Sequence, residues 1–379
     1  MEELENLLND KSSELAKVLR CSLHGMKASL QQAQREYSLG AETSTCQRLI
    51  EELDRLLNSH DKLNNDQEST IAISEEKQVD EFKLKVLQAE FFADTRLFPY
   101  FGDRIESRSH TDKQLWDEIH YLLLRVPENL AKSWRKRALE IADDCKIKVT
   151  TDKKNFVELP LCGNDDNELI HAALKTKEVA RGLYHSTKSK FDSRIPQLEK
   201  NEELYLHGCL VSTYLKLIEL EPSGELHHAF EPVYRFGLKS LADELDRDKY
   251  TNALIKCLSS CKKAEQKDIL EYLQTRLDLD EAIHSLVFPT PAPSNSWWGQ
   301  LQQKSRRDLN SVADRARKEG HQVAIRSLTG VYADVHHLSK HNRELDSGGT
   351  PGEVLTCLRV YARINGEEHL GRVLYRSLN

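Results

Sequence analysis

The sequence predicts an all-α protein, and three observations support this fold class. Glycine (16) and proline (10) are scarce in a chain of 379 residues, whereas sandwiches and barrels need many turns. Apolar residues recur at helical spacing through most of the chain. Charged residues make up 30% of the sequence, so the apolar side chains must be concentrated on one face of each helix.

The first 63 residues are predicted to form an antiparallel helical hairpin. Apolar residues recur eleven positions apart, a period of about 3.67 residues per turn that puts them on one stripe of a nearly straight helix. Such a stripe needs a covering surface, so it predicts coiled-coil self-association or a partner helix. The stripe residues, predicted to bind a partner, are Leu4, Leu8, Leu15, Leu19, Met26 and Leu30.

Helical signals continue after a polar linker. Thr111 is placed to cap a helix that ends near Pro127. Phe156-Val157-Glu158-Leu159 is predicted to be a short extended piece, at a candidate sub-boundary over residues 150–168. The pattern favours a helical bundle or solenoid-like body. The predicted divisions are residues 1–63 (hairpin), 64–75 (polar linker), 76–286 (helical body), 287–296 (proline-rich linker) and 297–379 (C-terminal helical module).

The C-terminal module is predicted to begin with a basic amphipathic helix, whose apolar face includes Leu301, Leu309 and Val312. Alternating prolines favour an extended spacer before it. Trp297 and Trp298 open the helix, and we expect them to pack or to dock a partner. Further helical faces are expected around residues 354–362 and 370–378.

Two groups of basic residues indicate an alternative function, the binding of nucleic acid. The net charge is −7, but two predicted helices concentrate lysine and arginine, which release counterions when they meet phosphate. The candidate residues are Lys132, Arg135, Lys136, Arg137, Arg306, Arg307, Arg315, Arg317 and Lys318.

A cleaving activity is the enzymatic form of this alternative. Helical ribonucleases of the HEPN type have an arginine followed four to six residues later by a histidine, and Arg315 to His321 and Arg104 to His110 resemble that motif. In that resemblance, the arginine would stabilise a phosphorane and the histidine would move the proton.

One constellation has the spacing of a metal site. Spacings of three, four and three residues would put four candidate ligands on one helical face, where two imidazoles one turn apart chelate a divalent ion. The residues are Asp334, His337, His341 and Glu344. The alternative is that these polar side chains simply face water.

The function predicted from these features is that of a non-enzymatic helical scaffold subunit, which binds other protein subunits. No phosphate loop, dinucleotide motif, zinc-protease motif or nucleophile elbow is present, and no cofactor is predicted. The longest uncharged stretch contains three prolines, so no membrane span is expected. The acidic opening of the sequence predicts a cytoplasmic protein.

Overall fold

The computed structural model describes residues 23, 47–50, 52–53, 82–101, 107–160, 168–199, 203–221 and 224–378. The chain divides into two compact units, Met1–Val79 and Asp80–Asn379. In the first unit, residues 47–50 and 52–53 are helical, and Ile50 and Leu53 are buried. The stripe from Leu4 to Leu30 lies outside the described residues, so the hairpin stays a prediction.

The second unit mixes helices and strands, and the predicted all-α fold is wrong. The structure is 48% helical, but its described residues also contain 14 strands in five sheets, which make up 20%. The helices are α1 (Lys85–Phe92), α2 (Phe98–Phe101), α3 (Asp112–Leu122), α4 (Glu128–Asp144), α5 (Tyr205–Leu220), α6 (Glu244–Ala264), α7 (Ile269–His284), α8 (Trp297–Lys318) and α9 (Tyr332–Val335).

The strands are short, and each sheet has two or three of them. In chain order they are β1 (Lys148–Thr150), β2 (Phe156–Pro160), β3 (Leu169–His171), β4 (Ala173–Lys175), β5 (Gly182–Ser186), β6 (His227–His228), β7 (Lys239–Ser240), β8 (Leu286–Val287), β9 (Val323–Arg326), β10 (Arg343–Leu345), β11 (Val354–Arg359), β12 (Tyr361–Ile364), β13 (Glu367–His369) and β14 (Arg372–Arg376). The sheet orders are β1-β4, β2-β5-β3, β7-β6-β8, β13-β12-β9 and β10-β14-β11.

The helices predicted around residues 354–362 and 370–378 of the C-terminal module are also wrong, because these stretches form strands β11, β12 and β14. The apolar residues there are spaced as on a helix, but β11 pairs with β14 through two register shifts. A bulge inserts one residue and breaks the period of two, so apolar residues fall three or four apart. Strand β14 lies between β10 and β11, and both Val373 and Leu374 are buried. A strand that is covered on both faces shows no alternation.

Other local predictions are confirmed. The Thr111 side chain accepts a hydrogen bond from the Gln114 backbone N–H and caps α3. Residues 156–160 form a strand. Helix α8 begins at Trp297, and its predicted apolar face is buried.

Three hydrophobic clusters lie in the described part of the second unit, and two of them are large. The larger core contains buried residues of α5, α6, α7 and α8 together with residues of β11, β12 and β14. The smaller core lies under α1, α3 and α4 and reaches Ile147 and Leu174 beside the β1-β4 sheet. Among the described residues, none of the helices combines the length and the apolar run that crossing a bilayer requires.

Candidate functional site

The two tryptophans that open α8 pack within the chain. Trp298 is buried, and its ring lies 5.3 Å from that of Tyr214 and 5.0 Å from that of Phe288 between centroids. Trp297 is partly buried and stacks on His185 at 5.7 Å. The packing role expected of both rings is thus present, and docking of a partner by Trp297 stays a prediction.

The predicted basic residues of α4 form ion pairs with glutamates of the same chain. Each long side chain that reaches a carboxylate has less charge to offer to phosphate. The pairs are Lys132–Glu128 (3.9 Å), Arg135–Glu128 (3.3 Å), Lys136–Glu140 (3.9 Å) and Arg137–Glu90 (2.7 Å).

Most of the predicted basic residues of α8 are paired as well. Arg307 and Lys318 lie exposed on this helix. The pairs are Arg306 with the buried Asp280 (2.8 Å), Arg315 with Glu203 (2.6 Å) and Arg317 with Asp314.

The HEPN-like spacing is not assembled into a site by the described residues. The Arg315 guanidinium lies over the Tyr272 ring at 5.3 Å, whereas His321 follows the end of α8 and contacts Asn365. Arg104 lies outside the described residues.

The four predicted metal ligands do not share a helical face. Asp334 lies on α9, His337 on a 3₁₀ turn, and Glu344 on β10. His341 lies between them with a positive φ of 52° and pairs with Glu231 at 2.8 Å. The premise of one continuous helix is therefore wrong, and within the described residues no group of three or more ligand side chains is arranged to hold a metal ion.

A different feature concentrates positive charge. A cavity of about 290 Å³ beside the β1-β4 sheet is lined by six lysines and by only two carboxylates, those of Asp112 and Glu178. We call this feature the lysine basin. Its lysines are Lys83, Lys113, Lys146, Lys148, Lys175 and Lys177.

The β1-β4 sheet places two of these lysines directly opposite each other. Lys148 is the cross-strand partner of Lys175 in the antiparallel register, and both side chains are exposed. Like charges in directly opposite positions destabilise a sheet. The pair therefore costs stability unless an anion lies between the two ammonium groups.

The end of α4 places a third lysine at the basin. Lys146 has a positive φ of 55°, and the next amide, that of Ile147, donates to the Ala142 carbonyl. Glycine is the usual residue at such a helix end, because it adopts this conformation without steric cost. A lysine there adds a charge to the basin at some cost in backbone strain.

The positive charge of the basin is only partly compensated. Asp112 accepts a hydrogen bond from the Leu84 backbone N–H at 2.7 Å, which ties the start of α3 to the segment before α1. The structure shows ion pairs for many lysines elsewhere in the chain. Among the described residues, however, no ion pair involves these four lysines of the basin: Lys83, Lys146, Lys148 and Lys175.

A second cavity adjoins the basin and shares Lys113 with it. We call it the Asp117 cavity; its volume is about 320 Å³. Val157, Leu183 and Leu220 supply apolar wall. The polar lining is Arg108, Ser109, Lys113, Gln114, Asp117, Glu118, Tyr121, His171 and Arg181.

The two carboxylates of this cavity differ. Glu118 is buried and accepts hydrogen bonds from the hydroxyls of Ser107 and Ser109. Asp117 accepts one from the Arg181 backbone N–H at 3.1 Å. Burial raises the pKa of Asp117 to about 6, although that hydrogen bond and the charge of Lys113 oppose the shift.

The histidine of the cavity is neutral at pH 7. Burial lowers the pKa of His171 to about 3. Its Nδ1 lies 3.3 Å from the Ala172 carbonyl, which accepts the ring proton. The ring of His120 packs against it at 4.7 Å between centroids.

A further cavity lies by α7 and is less suited to an anion. It has a volume of about 360 Å³ and is lined by Asp278, Glu281 and Arg359, among others. Arg359 donates to Glu281 at 3.0 Å. Burial raises the pKa of Cys257, which also lines the cavity, to about 12, so its thiol is protonated and weakly nucleophilic.

The sequence carries a weak signal of the basin. Lys146-Ile147-Lys148 and Lys175-Thr176-Lys177 repeat the pattern of a lysine on either side of one residue. Two lysines around one residue are a much weaker sign of phosphate binding than a long basic run. The sequence also does not show that β1 pairs with β4. Only the pairing brings the two patterns together.

No protein family, curated protein or solved structure matches the chain.

Proposed function

We propose that the chain is a nucleic-acid-binding subunit that holds the phosphate backbone at the lysine basin. The observation that carries the proposal is the lining of that cavity, six lysines against two carboxylates. Lysine ammonium groups neutralise phosphates as point charges and release condensed counterions, which supplies most of the affinity of non-specific binding.

The register of β1 and β4 supports an anionic ligand. The repulsion between Lys148 and Lys175 falls when a phosphate lies between them, so part of the binding free energy is relief of that repulsion. A single surface lysine without an acidic partner is common. Here, however, the pairing of β1 with β4 holds two such lysines opposite each other.

The extent of the positive surface favours a polymer over a single phosphate. Lys113 lines both the basin and the Asp117 cavity, and Arg108 and Arg181 continue the cationic lining in the second of these. A chain of phosphates can follow this track, whereas one phosphate can occupy only a part of it. The net charge of −7 makes the attraction local and sensitive to salt.

Assembly is the second part of the proposal. The eleven-residue stripe from Leu4 to Leu30 needs a covering surface, which another copy of the chain or a helix of another subunit would provide. The predicted cytoplasmic location is compatible with both parts and stays a prediction.

Fluorescence anisotropy with labelled single-stranded and double-stranded oligonucleotides tests the basin. In the variant Lys148→Gln/Lys175→Gln, we expect the affinity at low salt to fall about tenfold or more, because two phosphate contacts are lost. The matched control is Lys132→Gln/Lys136→Gln, which removes two exposed lysines of α4 and should leave the affinity within about twofold, since only long-range charge is lost.

Two outcomes would contradict the proposal. Equal losses of oligonucleotide affinity in both double variants would mean that only the total charge of the chain matters. Binding to anionic lipid vesicles without any binding to oligonucleotides would assign the basin to a membrane surface instead.

A further inference from the structure

The Asp117 cavity has the composition of a site for one nucleotide. Its volume of about 320 Å³ is within the range of small-ligand sites, which combine apolar walls with a few placed polar groups. Val157, Leu183 and Leu220 provide apolar surface against which the face of a base can pack.

The positively charged side chains of the Asp117 cavity can bind the phosphate of this nucleotide. Lys113 belongs to both cavities, so a nucleotide with its base in the Asp117 cavity would have its phosphate at the junction. Arg108 and Arg181 are exposed residues of the same lining. The nucleic-acid strand would then continue from this junction into the lysine basin.

Asp117 supplies a hydrogen-bond acceptor for the edge of the base. One carboxylate oxygen accepts from the Arg181 backbone N–H at 3.1 Å, which fixes the group. An ionised carboxylate only accepts hydrogen bonds, and its two oxygens can take several donors at once. Carboxylates in protein–nucleic acid interfaces accept from the amino group of cytosine.

The other carboxylate of the cavity is not available for this role. Glu118 already accepts from the Ser107 and Ser109 hydroxyls and from the Arg108 backbone N–H. These hydrogen bonds hold the segment before α3 against the helix. Asp117 is therefore the carboxylate that remains to read a ligand.

We propose that the Asp117 cavity binds one nucleotide of the nucleic acid and prefers a base with an exocyclic amino group. This inference rests on the proposed function, since the nucleotide belongs to the nucleic acid whose phosphates lie in the lysine basin. Cytosine and uracil give the sharpest comparison, because position 4 has an amino donor in cytosine and a carbonyl acceptor in uracil, and N3 is an acceptor in cytosine and a donor in uracil. A carboxylate that faces position 4 attracts the amino group and repels the carbonyl.

Isothermal titration calorimetry with cytidine and uridine monophosphates at about pH 7.5, where the carboxylate is ionised, tests the inference on the full chain. We expect cytidine monophosphate to bind about five- to tenfold more tightly. In Asp117→Asn the preference should disappear, because an amide both donates and accepts. Asp248→Asn, which removes an exposed carboxylate of α6, should keep the preference.

The basin variant separates this inference from the proposed function. Lys148→Gln/Lys175→Gln should weaken binding of oligonucleotides while leaving the cytidine preference of the mononucleotides unchanged. Equal binding of the two mononucleotides, or binding of neither, would overturn the inference and leave the basin proposal standing. Absence of oligonucleotide binding by the wild-type chain would overturn the proposed function instead.

Discussion

At the scale of single residues, the lysine basin is a place where stability and binding oppose each other. Lys148 and Lys175 face each other across a two-stranded sheet, and like charges in that position destabilise the pairing. Residues at binding sites often carry such a cost, and improving the fold there commonly impairs function.

The substitution Lys148→Glu should separate the two effects. It turns a repulsive cross-strand pair into an attractive one, so we expect the free energy of unfolding to rise by about 0.5 to 1 kcal/mol, while oligonucleotide binding falls. Urea denaturation and anisotropy on the same preparation measure both quantities. A Lys148→Glu variant that is less stable and still binds oligonucleotides would show that the Lys148–Lys175 pair neither destabilises the sheet nor binds phosphate.

The raised pKa of Asp117 gives a pH dependence with a definite sign. The pKa of about 6 in the folded chain lies above the value of about 3.9 of an unfolded aspartate, so the folded state binds the proton more tightly. Wild-type stability should therefore rise, relative to Asp117→Asn, as the pH falls from about 7 to about 4.

The size of that change is at most about 3 kcal/mol, because one pKa unit corresponds to about 1.4 kcal/mol. Urea denaturation of both chains across this pH range measures it, and groups that titrate in both chains cancel in the difference. A difference in stability that does not vary with pH would contradict the shifted pKa.

At the scale of elements, α7 organises the larger core through buried ion pairs. Three of its charged side chains, those of Arg276, Asp280 and Glu281, are buried. Their partners lie on α5, α8, β11 and β14, so this one helix is tied to two other helices and to a sheet. The contacts are Arg276 to His207 (2.9 Å) and Asp308 (2.9 Å), Asp280 to Arg306 (2.8 Å), and Glu281 to Arg359 (3.0 Å) and Arg372 (3.4 Å).

Asp280 makes one of the ion pairs that link α7 to α8, and it is only 2% exposed. Burial would raise its pKa, but the charges of Arg306 and His284 outweigh burial and bring the pKa well below its usual range. The carboxylate therefore stays ionised far below neutral pH.

Asp280→Asn should destabilise the fold by about 3 to 5 kcal/mol at neutral pH, because it leaves the partly buried Arg306 charge without its counter-charge. The matched control is Asp314→Asn, which breaks an exposed pair with Arg317 and should cost less than about 1 kcal/mol. Equilibrium unfolding in urea measures both, and equal losses would contradict the account of α7.

The elements also show what a single sequence can predict. Helices with local signals were predictable: Thr111 caps α3, and α8 begins at Trp297 as expected. The C-terminal strands were not, because the bulges of β11 and the enclosure of β14 remove the period of two. Partners that are distant in sequence determine these strands.

At the scale of the whole molecule, residues on both sides of the three alternating prolines share a core. Phe288 and Trp298 contact each other inside it, and the Glu128 backbone N–H donates to the Asn295 carbonyl. Alternating prolines predict an extended segment, but they do not say whether it is solvated or packed.

The lysine basin could not be predicted from the sequence either. Its lysines come from positions 83 to 177, and only the folded chain brings them together.

The salt dependence of oligonucleotide binding tests the central claim most directly. For the wild-type chain we expect log K to fall linearly with log salt, and each phosphate contact contributes about 0.7 to the slope for a single strand and about 0.9 for a duplex. Lys148→Gln/Lys175→Gln should reduce the magnitude of that slope by about 1.4 to 1.8, and Lys132→Gln/Lys136→Gln should leave it unchanged. A slope that is the same in all three chains would contradict the claim that the basin holds the phosphates.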